Sequence, residues 1–403
     1  MFGPFFLEED STTMSSKSFV IASLAMLAMA FSACSDDDGA SPNASDLRDL
    51  DGTCLFDDFG DSEVKPPLAP VATVEDVGLY ASDFAWHADS AYVVDYSRNA
   101  VHRIDLNRLN GDALSKNFID LGQDAGPYSV YADDEAVYVT CQGIVQVVKV
   151  THAGGQKTTV LDGSRVKAPV DVVTHEGTTF VADSEYDYAD ASKTGGMIYA
   201  VTSEGDVISH KTTSPNPAFL HIVGGGDEAL LVSVNAGVVS FSATSGPTPP
   251  DKSCIDVWNI RDFLEQAEVS PRTFCVTGAS LGRPALVGEE LVLGDALQPS
   301  LYAISLDDLK SASSSDAVLR KLPVAASRNT VMTPVSVQGN LAAVDYNGQA
   351  FVWFEDGTPI SFLLTKSEAA PMGPIDVLYD DVRKQVLILN SAAGSVSIFE
   401  VRR

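Results

Sequence analysis

The most constraining feature of this chain is a proline-centred segment that returns six times, each copy followed by an apolar run ending in a polar residue. Gly126-Pro127-Tyr128-Ser129-Val130 matches Ala168-Pro169-Val170-Asp171-Val172 and Gly373-Pro374-Ile375-Asp376-Val377. Thr333-Pro334-Val335-Ser336-Val337 belongs with them, and Asn216-Pro217-Ala218-Phe219-Leu220 and Arg283-Pro284-Ala285-Leu286-Val287 are looser copies. A seventh, Tyr80-Ala81-Ser82-Asp83-Phe84, lacks the proline. The intervals are 46, 42, 48, 67, 50 and 40 residues. Repeats of that length are supersecondary units that bury their apolar faces only by stacking on one another.

Each unit reads as short strands separated by Gly, Asp and Asn. Second runs include Tyr92-Val93-Val94-Asp95, Phe180-Val181-Ala182-Asp183, Leu291-Val292-Leu293-Gly294-Asp295, Leu341-Ala342-Ala343-Val344-Asp345 and Leu387-Ile388-Leu389-Asn390. A third run follows, as in Ser395-Val396-Ser397-Ile398-Phe399, and a fourth in most units, as in Phe118-Ile119-Asp120-Leu121. The last unit has only three runs before Arg403, and Val71-Ala72-Thr73-Val74 is available to complete it. Pairing the two termini in one sheet leaves no open edge to the ring. The expected fold is therefore all-β: a seven-bladed β-propeller of four-stranded antiparallel blades, the last closed by an N-terminal strand.

Tyr92-Val93-Val94-Asp95-Tyr96-Ser97-Arg98-Asn99-Ala100-Val101-His102-Arg103-Ile104-Asp105 and Leu389-Asn390-Ser391-Ala392-Ala393-Gly394-Ser395-Val396 resemble the repeats of NHL and YVTN-type β-propellers. The resemblance runs over nearly all of residues 70–403, with each repeat degenerate. It implies a fold and no single activity, because such propellers host binders, scaffolds, lyases and hydrolases.

Ahead of the repeats lies Phe19 to Phe31, thirteen apolar residues including one serine, preceded by Lys17. The run is too short for a bilayer span, which needs about 20 residues. A basic start, a short apolar stretch and small residues at its end describe an export signal. Phe31-Ser32-Ala33-Cys34 resembles the bacterial lipobox, which implies removal of residues 1–33 and lipidation of Cys34. Glu8, Glu9 and Asp10 suit no export signal, so translation is expected to start at Met14. Residues 34–69 read as an acidic tether that cannot bury enough to fold alone. Ser35 after the cysteine resembles the outer-membrane sorting signal, placing the chain in the bacterial envelope, anchored through lipid.

With 55 acidic against 26 basic side chains, the formal net charge is −29, which excludes nucleic acid as a partner by phosphate repulsion. The five cysteines form no C-x-x-C, excluding zinc ribbons and thioredoxin-type pairs. The long fourth interval contains an insertion over about 242–281, in which Val257 to Gln266 has apolar residues at helical spacing and Arg272-Thr273-Phe274-Cys275-Val276 is a candidate fourth strand of that blade. Cys254 and Cys275 flank that helix and are expected to close the excursion as a disulfide in an exported chain. Cys54 and Cys141 are a candidate second pair pinning the tether to the second blade.

No nucleophile elbow, H-E-x-x-H or Walker loop occurs, and Gly224-Gly225-Gly226 sits between two strands, where a hairpin turn explains it. His87 and His175 share a repeat offset but belong to blades that are not neighbours, so they are not expected to share a ligand. Tyr186-Asp187-Tyr188-Ala189-Asp190 is an acidic-aromatic loop that could meet a partner or simply be solvated. The candidate site is an acidic rim. The first and second strands of a blade form a hairpin, so Asp83 and Asp95, Asp171 and Asp183, and Asp376 and Asn390 share one end, with Asp295 and Asp345. Asp376, Asn390, Asp83 and Asp95, from neighbouring blades, are expected to cluster. Such hard oxygens suit Ca²⁺ or a cationic partner group, while turn capping alone accounts for most second-strand positions. Arg283 and Arg328 are the expected counter-charges. The first expectation for function is a monomeric binding or scaffold module for a protein or small ligand. The alternatives are a divalent-metal propeller enzyme resembling gluconolactonases or streptogramin lyases, and a structural part of an envelope complex.

Overall fold

The computed structural model describes residues 67–78, 81–109, 113–185, 195–242, 246–311, 319–324, 332–346, 350–355, 357–364 and 373–402. The export signal, Cys34, Cys54, most of the tether, the Tyr186–Asp190 loop and Arg328 lie outside them. Seven four-stranded antiparallel sheets follow one another as the blades of a β-propeller. In the first six the strands run outward in chain order, as in blade three: Pro169–His175, Thr178–Asp183, Met197–Val201 and Val207–Lys211. Blade seven has Pro374–Asp380, Gln385–Asn390 and Ser395–Val401, with Leu68–Glu75 paired antiparallel outside the last, Val74 opposite Val396.

The second strands are buried along almost their whole length, as in Val137–Cys141 and Leu230–Asn235, because each has a neighbouring blade on both faces. This is why they read as continuous apolar runs rather than alternating ones. Among the described residues the core divides into seven clusters, one at each seam between blades. One of them packs Leu387, Leu389, Val396 and Ile398 of blade seven against Phe84, Ala91 and Val93 of blade one, closing the ring. Residues ahead of the repeat prolines turn the chain inward through left-handed backbone: Gly126 (φ 55°), Asn216 (φ 61°) and Gly373 (φ 63°). Glycine and asparagine are the residues that tolerate this.

Blade four departs from the expected excursion. Ser253–Asn259 is its third strand, Arg272–Val276 its fourth, and the helix is confined to Ile260–Glu265, capped by the Asn259 side chain. The true insertion lies before residue 253 and contains a small hairpin, Ser240–Ser242 with Gly246–Thr248. The helical spacing of Val257, Trp258, Ile260 and Phe263 arises because a strand runs straight into a helical turn: Trp258, Ile260 and Phe263 are buried in the blade three–four seam and Val257 in the blade four–five seam. Cys254 and Cys275 face each other across the third and fourth strands and are bonded. Their bridge staples two strands of one blade instead of closing a separate excursion. Cys141 is a free thiol, buried in the blade one–two seam. Cys54, its expected partner, lies outside the described residues, and burial pushes the Cys141 thiol up to about 12.

Candidate functional site

The innermost strands open with a β-bulge that re-aims one side chain per blade toward the channel axis. In blade three Pro169 opposes Asp183 and Asp171 opposes Ala182, leaving Val170 bulged. Blades two, four and seven repeat this with Pro127/Ser129, Pro217/Phe219 and Pro374/Asp376. In blade five Leu281, not Pro284, takes the proline's place opposite Asp295, and this sets Arg283 level with Asp171. Thr333 holds the level in blade six without a bulge, and Asp83 in blade one. Seven equivalent positions thus form a girdle: Asp83, Ser129, Asp171, Phe219, Arg283, Thr333 and Asp376.

Arg283 reaches across this girdle. Its Nη2 donates to Asp83 Oδ1 at 2.6 Å, its Nη1 lies 3.7 Å from Asp376 Oδ2, and the guanidinium rests 5.3 Å from the Phe219 ring centroid. Asp83 Oδ2 accepts from Ser129 Oγ at 2.6 Å and from the Val130 N–H at 2.9 Å, clipping the free edge of the next blade. Asp171 Oδ2 does the same to blade four through the Leu220 N–H at 2.7 Å. Each of the three aspartates also accepts from the N–H of the following residue. Thr333 Oγ1 donates to the Ile375 carbonyl at 2.8 Å.

The girdle aspartates are almost fully buried, while the Arg283 side chain keeps 28% of its exposure. Burial pushes the Asp376 carboxyl up to about 8, Arg283 opposing and Asp83 adding to the rise. Burial likewise pushes Asp171 up to about 6 against the pull of Arg283. For Arg283 burial works against the charge, but Asp376, Asp83 and Asp171 together hold its pKa above the ordinary value. His221, further along the channel, is pushed down to about 4 by burial and by Arg283, which keeps it neutral.

The eight rim residues expected from the sequence divide into two sets. Asp83, Asp171 and Asp376 meet in the girdle. The second-strand residues are buried and turned into their own loops. Asp95 accepts from Ser97, the Arg98 N–H and Arg98 Nη1, and pairs with His102 Nε2 at 2.8 Å; these contacts outweigh burial and hold it below the usual carboxylate range. Asp183 caps the N–H groups of Lys167, Ala168 and Glu185, and Asp295 those of Leu297 and Gln298. Asn390 donates to Ser397 Oγ at 2.8 Å, and Asp345 is buried at the same strand end. The expected cluster of Asp376, Asn390, Asp83 and Asp95 is replaced by one that spans the ring, because Arg283 draws the first-strand aspartates inward. The donor set does not suit Ca²⁺. The oxygens of Asp83 and Asp171 are all taken up in hydrogen bonds, and a guanidinium lies where a cation would be needed. His87 stacks on His152 at 4.7 Å, while His175 lies 3.9 Å from Glu176.

At the opposite end of the channel, the turns between first and second strands carry exposed acids in six of the seven blades. These are Asp89, Asp134 and Glu135, Glu176, Asp227 and Glu228, Glu289, and Asp381. Arg383 pairs with Asp89, Lys149 with Glu135, and Arg261 with Asp227. This exposed acidic mouth escaped the sequence reading, although every one of these residues lies in the turn between the first and second strands of its blade.

No protein-family model matches the chain, and neither does any curated protein. The fold is similar to solved β-propellers of unlike function. It matches a streptogramin B lyase at 9% identity and TM-score 0.57, over 83% of this chain and 97% of that one. It matches YCF48 bound to D1 peptide at 12% and 0.58, over 85% and 99%. It also matches the Pan2 WD40 domain of Neurospora crassa at 8% and 0.57, over 83% and 96%. At such identities the likeness shows the fold and nothing finer.

Proposed function

We propose that this chain is an exported, lipid-anchored propeller of NHL/YVTN-type repeats that binds a basic partner protein at its acidic mouth. The anchor is Cys34, the site the bacterial envelope, and the acidic tether holds the ring away from the membrane. The observation that carries the reading is the crown of exposed carboxylates around the innermost hairpins, of which Glu228, Glu289 and Asp381 have no ion-pair partner among the described residues. Such a field steers a cationic surface and repels anionic ones. The girdle at the other end is buried and turned onto Arg283 and neighbouring N–H groups, which leaves the mouth as the exposed charged surface. That a solved propeller of this fold holds a peptide supports the same reading. The enzyme alternative needs girdle carboxylates free to act on a substrate, and those of Asp83 and Asp171 are engaged.

The test is capture from detergent extracts of envelopes, with the purified chain as bait. Capture of a basic protein should fall about tenfold between about 0.05 M and about 0.5 M salt, because exposed charges are screened within a few ångströms at the higher value. It should be lost with Glu176→Gln, Glu228→Gln and Glu289→Gln combined. Capture indifferent to both salt and the triple variant would remove the mouth from the account.

A further inference from the structure

The girdle contains more short oxygen contacts than its hydroxyl can supply with hydrogen. Ser129 Oγ lies 2.6 Å from Asp83 Oδ2 and 2.7 Å from Asp171 Oδ1. A serine hydroxyl donates once. One of the two contacts therefore needs a second proton, carried by a carboxyl group. Asp83 is the wrong bearer: Oδ1 already accepts from Arg283 and the Phe84 N–H, and Oδ2 from the Val130 N–H as well as Ser129. The proton belongs on Asp171, which then donates to Ser129 while Ser129 donates to Asp83. A second shortfall sits at Asp376. Its Oδ2 is buried with no hydrogen-bond partner among the described residues, the Arg283 guanidinium standing off at 3.7 Å, in a side chain 2% exposed. A buried carboxylate oxygen left bare is costly, and protonation removes the cost.

We propose that the girdle is a proton-binding site, in which Asp171 and Asp376 each carry a proton in the tightly closed ring and release it in turn as the pH rises. With both bound, only Asp83 and Arg283 are charged and they cancel. With both released, three carboxylates from blades one, three and seven face one guanidinium. Every blade contributes to the surroundings of these two groups: Asp83, Ser129 and Tyr131, Asp171, Phe219 and neutral His221, Arg283, Thr333, and Asp376. Arg283 is the one permanent cation in that set. The upward shifts of Asp376, to about 8, and of Asp171, to about 6, place the two releases on either side of neutrality. The folded chain then binds more protons than the unfolded one from about pH 4 upward, so stability is greatest in mild acid and falls as pH rises through 6 and 8. The site is independent of what docks at the mouth.

The direct test is a carboxyl titration of the purified full chain by carbon NMR with labelled aspartate, alongside thermal melting from pH 5 to 9. Two aspartate carboxyls should titrate near 6 and 8, one vanishing in Asp171→Asn and the other in Asp376→Asn. Asp295, also pushed up to about 6 by burial, is told apart with Asp295→Asn. The melting temperature should fall by about 5 °C or more across that range, and the fall should flatten in the double variant D171N/D376N. If no carboxyl assigned to the girdle titrates above pH 5 in the wild type, the proposal is overturned, whether or not the variants fold. A double variant that retains the full alkaline loss would overturn it equally.

Discussion

Replacing Arg283 with methionine keeps much of the volume and the contact with Phe219 while deleting the charge that spans the ring. The ion pair it breaks is short (2.6 Å to Asp83) and its acid is 2% exposed. Removing one partner of a buried pair costs about 3–5 kcal/mol. The stranded carboxylate has an escape, which is to take up a proton at about 1.4 kcal/mol per pH unit above its ordinary range near 3.9. That escape caps the loss at about 4 kcal/mol at pH 7 and at about 1.5 kcal/mol at pH 5. Urea unfolding followed by fluorescence of Trp86, Trp258 and Trp353, run at both pH values, measures the two losses. The expected result is a deficit about 2–3 kcal/mol larger at pH 7 than at pH 5. A deficit below about 1 kcal/mol at pH 7, or one equal at both pH values, would refute the view that a buried guanidinium holds the girdle.

Three further outcomes follow from the fold. Reducing the Cys254–Cys275 bridge, or replacing both residues with alanine, should cost about 3 kcal/mol by the loop-entropy relation for a separation of 21 residues, read as a drop in the urea midpoint. Deleting residues through Glu75 strips the outer strand from Ser395–Val401 and should lower the melting temperature sharply, whereas deletion through Pro66 should leave it within about 1 °C; equal melting of the two truncations would deny Leu68–Glu75 a structural role. Native Cys141 should resist alkylation at pH 8 and react only after unfolding, because its thiol is buried and its pKa is pushed up to about 12; rapid labelling of the folded chain would place it elsewhere.

The blades were legible because a proline opens a bulged innermost strand in blades two, three, four and seven and each second strand, sandwiched between blades, is a nearly continuous apolar run. Blade five misled for a definite reason. Leu281 stands where blades two, three, four and seven have proline, and Pro284 three residues later is a decoy that shifts the alignment, as Pro334 does in blade six. Under that shift Arg283 precedes the key level and Leu286 occupies it; in the correct register Arg283 occupies it and Leu286 is partly exposed. Blades five and six are both misaligned by their prolines, and the shift in blade five hides the residue that organises the girdle. Blade four misled through Val257-Trp258-Asn259-Ile260, whose spacing suits a helix although the strand ends only at Asn259. The acidic mouth was overlooked because its carboxylates lie in hairpin turns, where Asp and Glu are ordinary. Only the ring geometry shows that the turns of all blades open at one end.

The claim that most needs a direct measurement is that a partner docks at this mouth. A photoreactive residue placed at Glu228 or Asp134 in the mouth, and at exposed Thr158 on the outer strand of blade two as control, would report contacts in intact cells. The account predicts one discrete cross-linked species from both mouth positions and none from Thr158. The same species from Thr158, with neither mouth position reacting, would contradict it.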